Sequence, residues 1–194
     1  MITLVCGGAR SGKSSFAEKI ASYRGGQDVV YLATAERGDR EMAARIEKHI
    51  KARPAEWETI EEHLKVSRTL ADIASDKVIL LDCITVLVSN LLLQGGVNQE
   101  MDDDSREAEV MKEIKAIIKV ANRKKLGLIM VSNEVGMGLV PGNKLGRLYR
   151  DIAGRVNKYL AANADEVYIT FAGFPIEIKK QGLENLKKFT QDDL

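Results

Sequence analysis

The stretch "GGARSGKSS" at residues 7–15 follows directly on the apolar run "ITLVC" at 2–6 and leads into the helical pattern "SSFAEKIASY". Gly7, Gly12, Lys13 and Ser14 fit the spacing G-x-x-x-x-G-K-[ST] in full. No other feature constrains the fold as strongly, because such a loop works only between a buried strand and a helix N-terminus. Glycines let the backbone N–H groups turn inward, and the helix end adds positive potential. Lys13 can reach the β- and γ-phosphates of a nucleoside triphosphate, and Ser14 can ligate Mg²⁺. The loop leaves the fate of the triphosphate open. It could be hydrolysed to drive motion, passed on as a phosphate, or broken elsewhere to move a nucleotide.

Apolar runs alternate with helical patterns along the rest of the chain. "VVYLA" (29–33), "VILLD" (78–82) and "LIMVS" (128–132) are short and continuous, as strands buried on both faces of a parallel sheet are. "WETI" (57–60) is a weaker strand candidate. Helical stretches are expected near 14–24, 40–52, 64–75, 105–125 and 143–162. This alternation predicts an α/β fold in one domain, 1–194, with a mainly parallel sheet between helices. "VYITFAGFPIEIK" (167–179) reads as an antiparallel hairpin turning at Gly173–Pro175. Residues 180–194 read as a polar tail, and 94–105 as a surface loop.

A metal-linked carboxylate is expected at the end of a neighbouring strand, and Asp82 occupies that position. The alternative is a cap for the helix that follows. Cys83 stands where many hydrolytic motors carry a second acid, which favours transfer to a bound acceptor. A second pattern lies in "DREMAARIEKHIKARP" at 39–54. Met42, Ile46 and Ile50 form one stripe of a helix, and Arg45, His49 and Arg53 form another about 60° round from it. Paired guanidiniums suit phosphate oxygens, and an imidazole between them could attack phosphorus. A solvated helix face is the competing reading on pattern alone. His63 lacks arginine neighbours at helical spacing and reads as surface.

Together, "GGARSGKS", "YLATA", the histidine segment, "LLDCITVLVSNLL" and "SNEVGMGLVPGNKLGRLYRDIAGRVNKYLAANADEVY" resemble the bifunctional adenosylcobinamide kinase/adenosylcobinamide-phosphate guanylyltransferase family over nearly the whole chain. The resemblance implies a RecA-like P-loop domain in the cytoplasm, acting as a homotrimer. It implies phosphorylation of adenosylcobinamide by ATP or GTP. Transfer of GMP from GTP, through a guanylyl-histidine, to adenosylcobinamide phosphate would follow. His49 matches that histidine. Gly7, Gly8, Ala9, Arg10, Ser11, Gly12, Lys13 and Ser14 match the nucleotide loop. Ala33, Thr34 and Ala35 match a segment lining the nucleotide site. Arg45 on one side of the histidine and Ile50, Lys51, Ala52 and Arg53 on the other fall near the GTP, and Glu61 matches an acid at the guanine. Asp82 matches the strand-end acid and, with Ser14, the Mg²⁺ position. The chain departs from the family at Glu61-Glu62-His63, where Glu-Glu-Pro is common. Asn133 and Glu134, after the "LIMVS" strand, stand at the edge where open α/β sheets bind ligands. The alternative for them is a structural turn.

Charge and composition bear on the rival functions. Net charge is +1 and aromatic residues are 5% of the chain. Neither supports a RecA-like ATPase working on nucleic acid. A P-loop small-molecule kinase without guanylyl transfer is the nearer alternative. The longest apolar run, "ITVLVSNLLL" at 84–93, is too short to span a bilayer, and no secretion signal is apparent. Cys6 and Cys83 follow apolar runs without metal-ligand spacing, so buried, reduced thiols are expected.

Overall fold

The computed structural model describes residues 1–36, 54–94 and 101–190. The histidine segment, with Arg45, His49, Ile50, Lys51, Ala52 and Arg53, lies outside the described residues, as do 95–100 of the glycine-containing loop and 191–194.

Seven strands form one sheet in the order β3-β2-β4-β5-β1-β6-β7. They are β1 (Ile2–Gly7), β2 (Val29–Ala33), β3 (Glu58–Glu61), β4 (Val78–Asp82), β5 (Gly127–Asn133), β6 (Glu166–Phe171) and β7 (Phe174–Glu177). All neighbours are parallel except β6 and β7. One strand, β5, separates the strand carrying the glycine-rich loop from the strand ending in Asp82, the arrangement of a RecA-like P-loop domain. Helix α1 (Lys13–Gly25) covers one face. Helices α2 (Val66–Asp72), α3 (Ile84–Leu93), α4 (Asp103–Lys124) and α5 (Lys144–Asn163) cover the other. A last helix, α6 (Lys179–Thr190), follows the hairpin.

The continuous apolar strands divide by pleat. Leu4 and Cys6 face the core beneath α2–α5, and Val5 faces the smaller core beneath α1. Small Ala17 and Ala21 bring α1 close to the sheet. Trp57 completes that side, its indole Nε1–H donating to the Gly26 carbonyl at 3.0 Å. On the other side the free backbone groups of helix ends are taken up by side chains. Asp102 caps α4 by accepting from the Ser105 N–H at 2.7 Å, and Lys124 donates to the Leu70, Ala71 and Ile73 carbonyls at the end of α2.

Two expectations change at the carboxyl end. The hairpin turns at Ala172–Gly173, not Gly173–Pro175: both residues have positive φ, 48° and 88°, as a tight two-residue hairpin turn requires. Pro175 sits inside β7, paired with Thr170, and is tolerated because β7 is the outermost strand among the described residues. Residues 179–190 are helical rather than a polar tail. Lys179 anchors the turn into α6 by donating to the Ala161, Ala162 and Ala164 carbonyls at the end of α5. No helix among the described residues is long and apolar enough to cross a membrane.

Candidate nucleotide site at the carboxyl edge

The parallel register brings most of the predicted residues to one edge of the sheet. Gly7 pairs with Asn133 on one side and Thr170 on the other. Ala33 pairs with Asp82 and with Glu61. From β1 to β3 there are four strand spacings, so Glu61 stands roughly 19 Å along the edge from Gly7. The carboxyl edge of a parallel sheet is where loops and helix N-termini converge, and ligands bind there.

Gly7 closes β1, Gly8 to Gly12 arch over its end, and Lys13 opens α1. Gly12 has φ 92°, a left-handed conformation in which a side chain is strained. A Cβ there would also stand 3.2 Å from Gly173 Cα. The Lys13 ammonium donates to the Gly8 carbonyl at 3.3 Å, so it lies folded back along the loop. The hairpin forms the loop's outer wall. Ser11 and Thr170 share a buried hydroxyl–hydroxyl bond of 2.7 Å, Thr170 Oγ1 donates to the Cys6 carbonyl at 3.2 Å, and the Gly173 N–H donates to the Ser11 carbonyl at 2.9 Å. Nothing in the sequence marks Thr170 and Gly173 as supports for the loop, because the hydroxyl contact joins residues 159 apart.

Asp82 ends β4 and does not cap the next helix. The N-cap of α3 is Cys83, with no side-chain capping bond, and the Asp82–Cys83 peptide is cis. Asp82 Oδ2 instead accepts from the Tyr31 hydroxyl at 2.5 Å. Tyr31 is a site residue that sequence reading missed, visible only once β2 and β4 are known to be neighbours. The chemistry of this donor set suits Mg²⁺. No three His, Cys, Asp or Glu side chains converge on one point among the described residues. A hydroxyl and one carboxylate at a P-loop leave the remaining positions to phosphate oxygens and water, the usual condition of protein-bound Mg²⁺.

Thr34 is a brace. It is fully buried, and its hydroxyl donates to the Cys83 carbonyl at 2.8 Å and accepts from the Cys83 N–H at 2.9 Å. Its carbonyl accepts from Asn90 Nδ2 at 2.8 Å and lies 3.2 Å from His63 Nδ1. That side chain therefore has both its hydroxyl functions engaged, and Ala33 and Ala35 flank it partly buried. His63 is not a surface residue: it is partly buried, and its own carbonyl accepts from Asn90 at 3.1 Å. The preceding Glu62 carboxylate accepts from the Leu64 and Lys65 N–H groups at 2.8 and 2.9 Å. Partial burial raises its pKa, and these backbone bonds more than offset that, leaving it below the usual value. Glu61, on the edge strand, is exposed.

After β5, Asn133 donates from Nδ2 to Thr85 Oγ1 at 2.8 Å, and its carbonyl accepts from Asn157 at 3.1 Å. Asn133 is thus tied into the wall between α3 and α5. The Glu134 N–H donates to the Gly7 carbonyl at 3.0 Å, which pins this residue to the first position of the loop.

Both cysteines are buried and unbridged. Burial pushes the Cys6 thiol up to about 12, with the Glu134 carboxylate adding to the effect and the Lys13 ammonium opposing it. Burial, then the Asp82 charge, also raises Cys83. Neither thiol should react with an alkylating reagent near pH 8 in the folded protein, and both should react after denaturation. Mass spectrometry would read the difference, and rapid native labelling of either would refute it. A raised thiol pKa stabilises the fold fully below the unfolded value, near 9.0, and that contribution is lost as pH rises toward about 12.

Comparison with known proteins agrees with the geometry. The family model described as cobinamide kinase / cobinamide phosphate guanyltransferase matches residues 3–178. The bifunctional adenosylcobalamin biosynthesis protein CobU of Salmonella typhimurium is 47% identical over 184 residues, covering 92% of this chain and 100% of that protein. CobU of Escherichia coli is 43% identical over 183 residues, covering 92% of this chain and 100% of its own. CobP of Pseudomonas aeruginosa is 39% identical, with 94% and 100% covered. Among solved structures, the flagellar accessory protein FlaH of Methanocaldococcus jannaschii is similar at 16% identity and a TM-score of 0.43, over 90% of this chain and 74% of its own. A solved ATPase domain is similar at 16% identity and a TM-score of 0.48, over 87% and 68%.

Proposed function

Because this chain belongs to the cobinamide kinase/cobinamide phosphate guanyltransferase family, we propose that its sheet edge serves two transfers in turn. The protein is an enzyme of adenosylcobalamin biosynthesis that phosphorylates cobinamide and then joins GMP to that phosphate. The observation that carries this reading is the family match over 3–178, which includes an intact G-x-x-x-x-G-K-S loop at Gly7–Ser14.

In the first transfer the loop N–H groups and Lys13 hold the triphosphate of ATP or GTP. Ser14 and Asp82 would hold Mg²⁺, which neutralises charge on the phosphate oxygens when bound. The acceptor hydroxyl of adenosylcobinamide takes the γ-phosphoryl group. In the second, His49 attacks the α-phosphorus of GTP. An N–P bond forms, the bridging P–O bond breaks, and pyrophosphate leaves. The phosphate of adenosylcobinamide phosphate then attacks the same phosphorus and frees the imidazole. Arg45 and Arg53 hold phosphate oxygens, Ile50 to Ala52 line the GTP, and Glu61 accepts from guanine N1–H and N2–H. Ala33 to Ala35 shape the wall between the loop and Glu61.

The working form is a cytoplasmic homotrimer. The outer edge of β7 and the exposed apolar side chains of β7 and α6 give such an assembly surface to bury: Phe174 is 75% exposed and Phe189 76%.

GTP labelled at the α-phosphate should leave an acid-labile, base-stable label on the protein. Unlabelled adenosylcobinamide phosphate should then discharge it as adenosylcobinamide-GDP. Phosphorylation of cobinamide with no such adduct would favour the plain kinase and remove the second half of this reading.

A further inference from the structure

Beneath the arch of the glycine-rich loop lies a cavity of about 370 Å³. Gly8, Ala9 and Arg10 of the loop line it, with Ile169 and Phe171 of β6 and with Glu134. The volume is within the range of small-molecule sites. Glu134 is the only carboxylate among its lining residues.

The direction of the triphosphate follows from Lys13. Its ammonium, the group that meets β- and γ-phosphates in such loops, lies over Gly8, at the opposite end of the arch from Ser14. The terminal phosphate therefore points toward the Gly8–Ala9 end, which is the end that borders the cavity. An acceptor hydroxyl must approach the γ-phosphorus from that end.

Glu134 is held for a task there. Its N–H is bound to the Gly7 carbonyl, and Oε1 accepts from the Gly136 N–H at 2.8 Å. Oε2 makes no hydrogen bond to a described residue. A Cβ on Gly136 would come within 2.9 Å of Glu134 Oε1, so the absent side chain is what lets the carboxylate sit where it does. The other acids of the edge are elsewhere. Asp82 is bound by Tyr31, and Glu61 is four strands from β1.

We infer that this cavity admits the hydroxyl-bearing arm of the acceptor and that Glu134 is the general base of the phosphoryl transfer. The hydroxyl proton passes to the Glu134 carboxylate as the new O–P bond forms. The bond from the γ-phosphorus to the β–γ bridging oxygen breaks, and the nucleoside diphosphate leaves. The inference rests on the kinase reading above.

The test uses the full chain with nucleotide, Mg²⁺ and cobinamide. Glu134→Gln should lower kcat for phosphorylation by about 10²–10⁴-fold, the usual contribution of a positioned base. It should abolish the acidic limb of the pH–rate profile, with nucleotide affinity and formation of the GMP adduct unchanged. Gly136→Ala, which only displaces the carboxylate, should lower kcat by about tenfold with the limb retained. A kcat within about threefold of the parent in Glu134→Gln, or a loss that tracks nucleotide affinity, would overturn the assignment. A parent protein that binds nucleotide but phosphorylates no cobinamide would instead defeat the kinase reading, and the assignment with it.

Discussion

His49→Ala should take up no guanylyl group from GTP, while still phosphorylating cobinamide within about threefold of the parent rate. The loss is expected because covalent transfer needs a nucleophile, and in the proposed reading that nucleophile is the His49 imidazole. Arginine stays protonated and cannot attack phosphorus. Phosphoryl transfer should survive because the residues proposed for it, the loop, Asp82 and Glu134, are untouched by the substitution. Lys13→Ala gives the complementary result. Phosphoryl transfer falls by about 10²–10³-fold, as expected for removal of one preorganised cation from a developing charge. The GMP adduct fails as well if one loop grips the triphosphate for both transfers. Label incorporation and product formation, measured on the same preparations, separate the two substitutions. Normal labelling of His49→Ala would move the guanylyl site to another residue.

Among the described glycines, an added methyl group meets its shortest contacts at Gly7. Its Cβ would stand 2.3 Å from Thr170 Oγ1, 2.4 Å from Ser11 Oγ and 3.0 Å from the Thr170 carbonyl oxygen. Neither hydroxyl can yield freely. Thr170 Oγ1 is committed to the Cys6 carbonyl, so Ser11 must be the donor in their shared 2.7 Å bond. Breaking a buried hydroxyl pair and overpacking its site together cost about 3 kcal/mol. For a chain of this length that lowers Tm by about 6–12 °C. Nucleotide affinity should fall too, because Ser11 belongs to the loop. Gly8→Ala is the control: a Cβ there meets nothing within 4 Å, so the nucleotide-free Tm should hold. A Gly7→Ala protein that melts with the parent would show that the loop is not braced in this way.

What the sequence displayed was local. A strand, a glycine loop and a helix in immediate succession identify themselves, and so does an acid closing an apolar run. The long-range supports did not show. His63 looked like surface because its partner, the Thr34 carbonyl, is 29 residues away. The helix at 179–190 looked like a polar tail because its apolar positions, Leu183, Leu186 and Phe189, are sparse among charged neighbours. The hairpin turn was misplaced because Pro175 is a turn signal almost everywhere except on an outermost strand. Thr34 matched a nucleotide segment, yet its hydroxyl serves the Cys83 backbone. Sequence identified the residues of the edge better than the purpose of each.

The bracing of the loop by Thr170 and Gly173 also bears on how the protein is made. Residues 7–14 are translated well before their outer wall, which belongs to β6 and the turn after it, residues 166–173. Until that hairpin emerges, β1 has an open flank and Ser11 lacks the partners of both its hydroxyl and its carbonyl. A nascent chain that already carries every carboxylate of the edge still lacks a finished phosphate cradle. The loop is translated long before it is competent, so nucleotide capture reports the arrival of that hairpin.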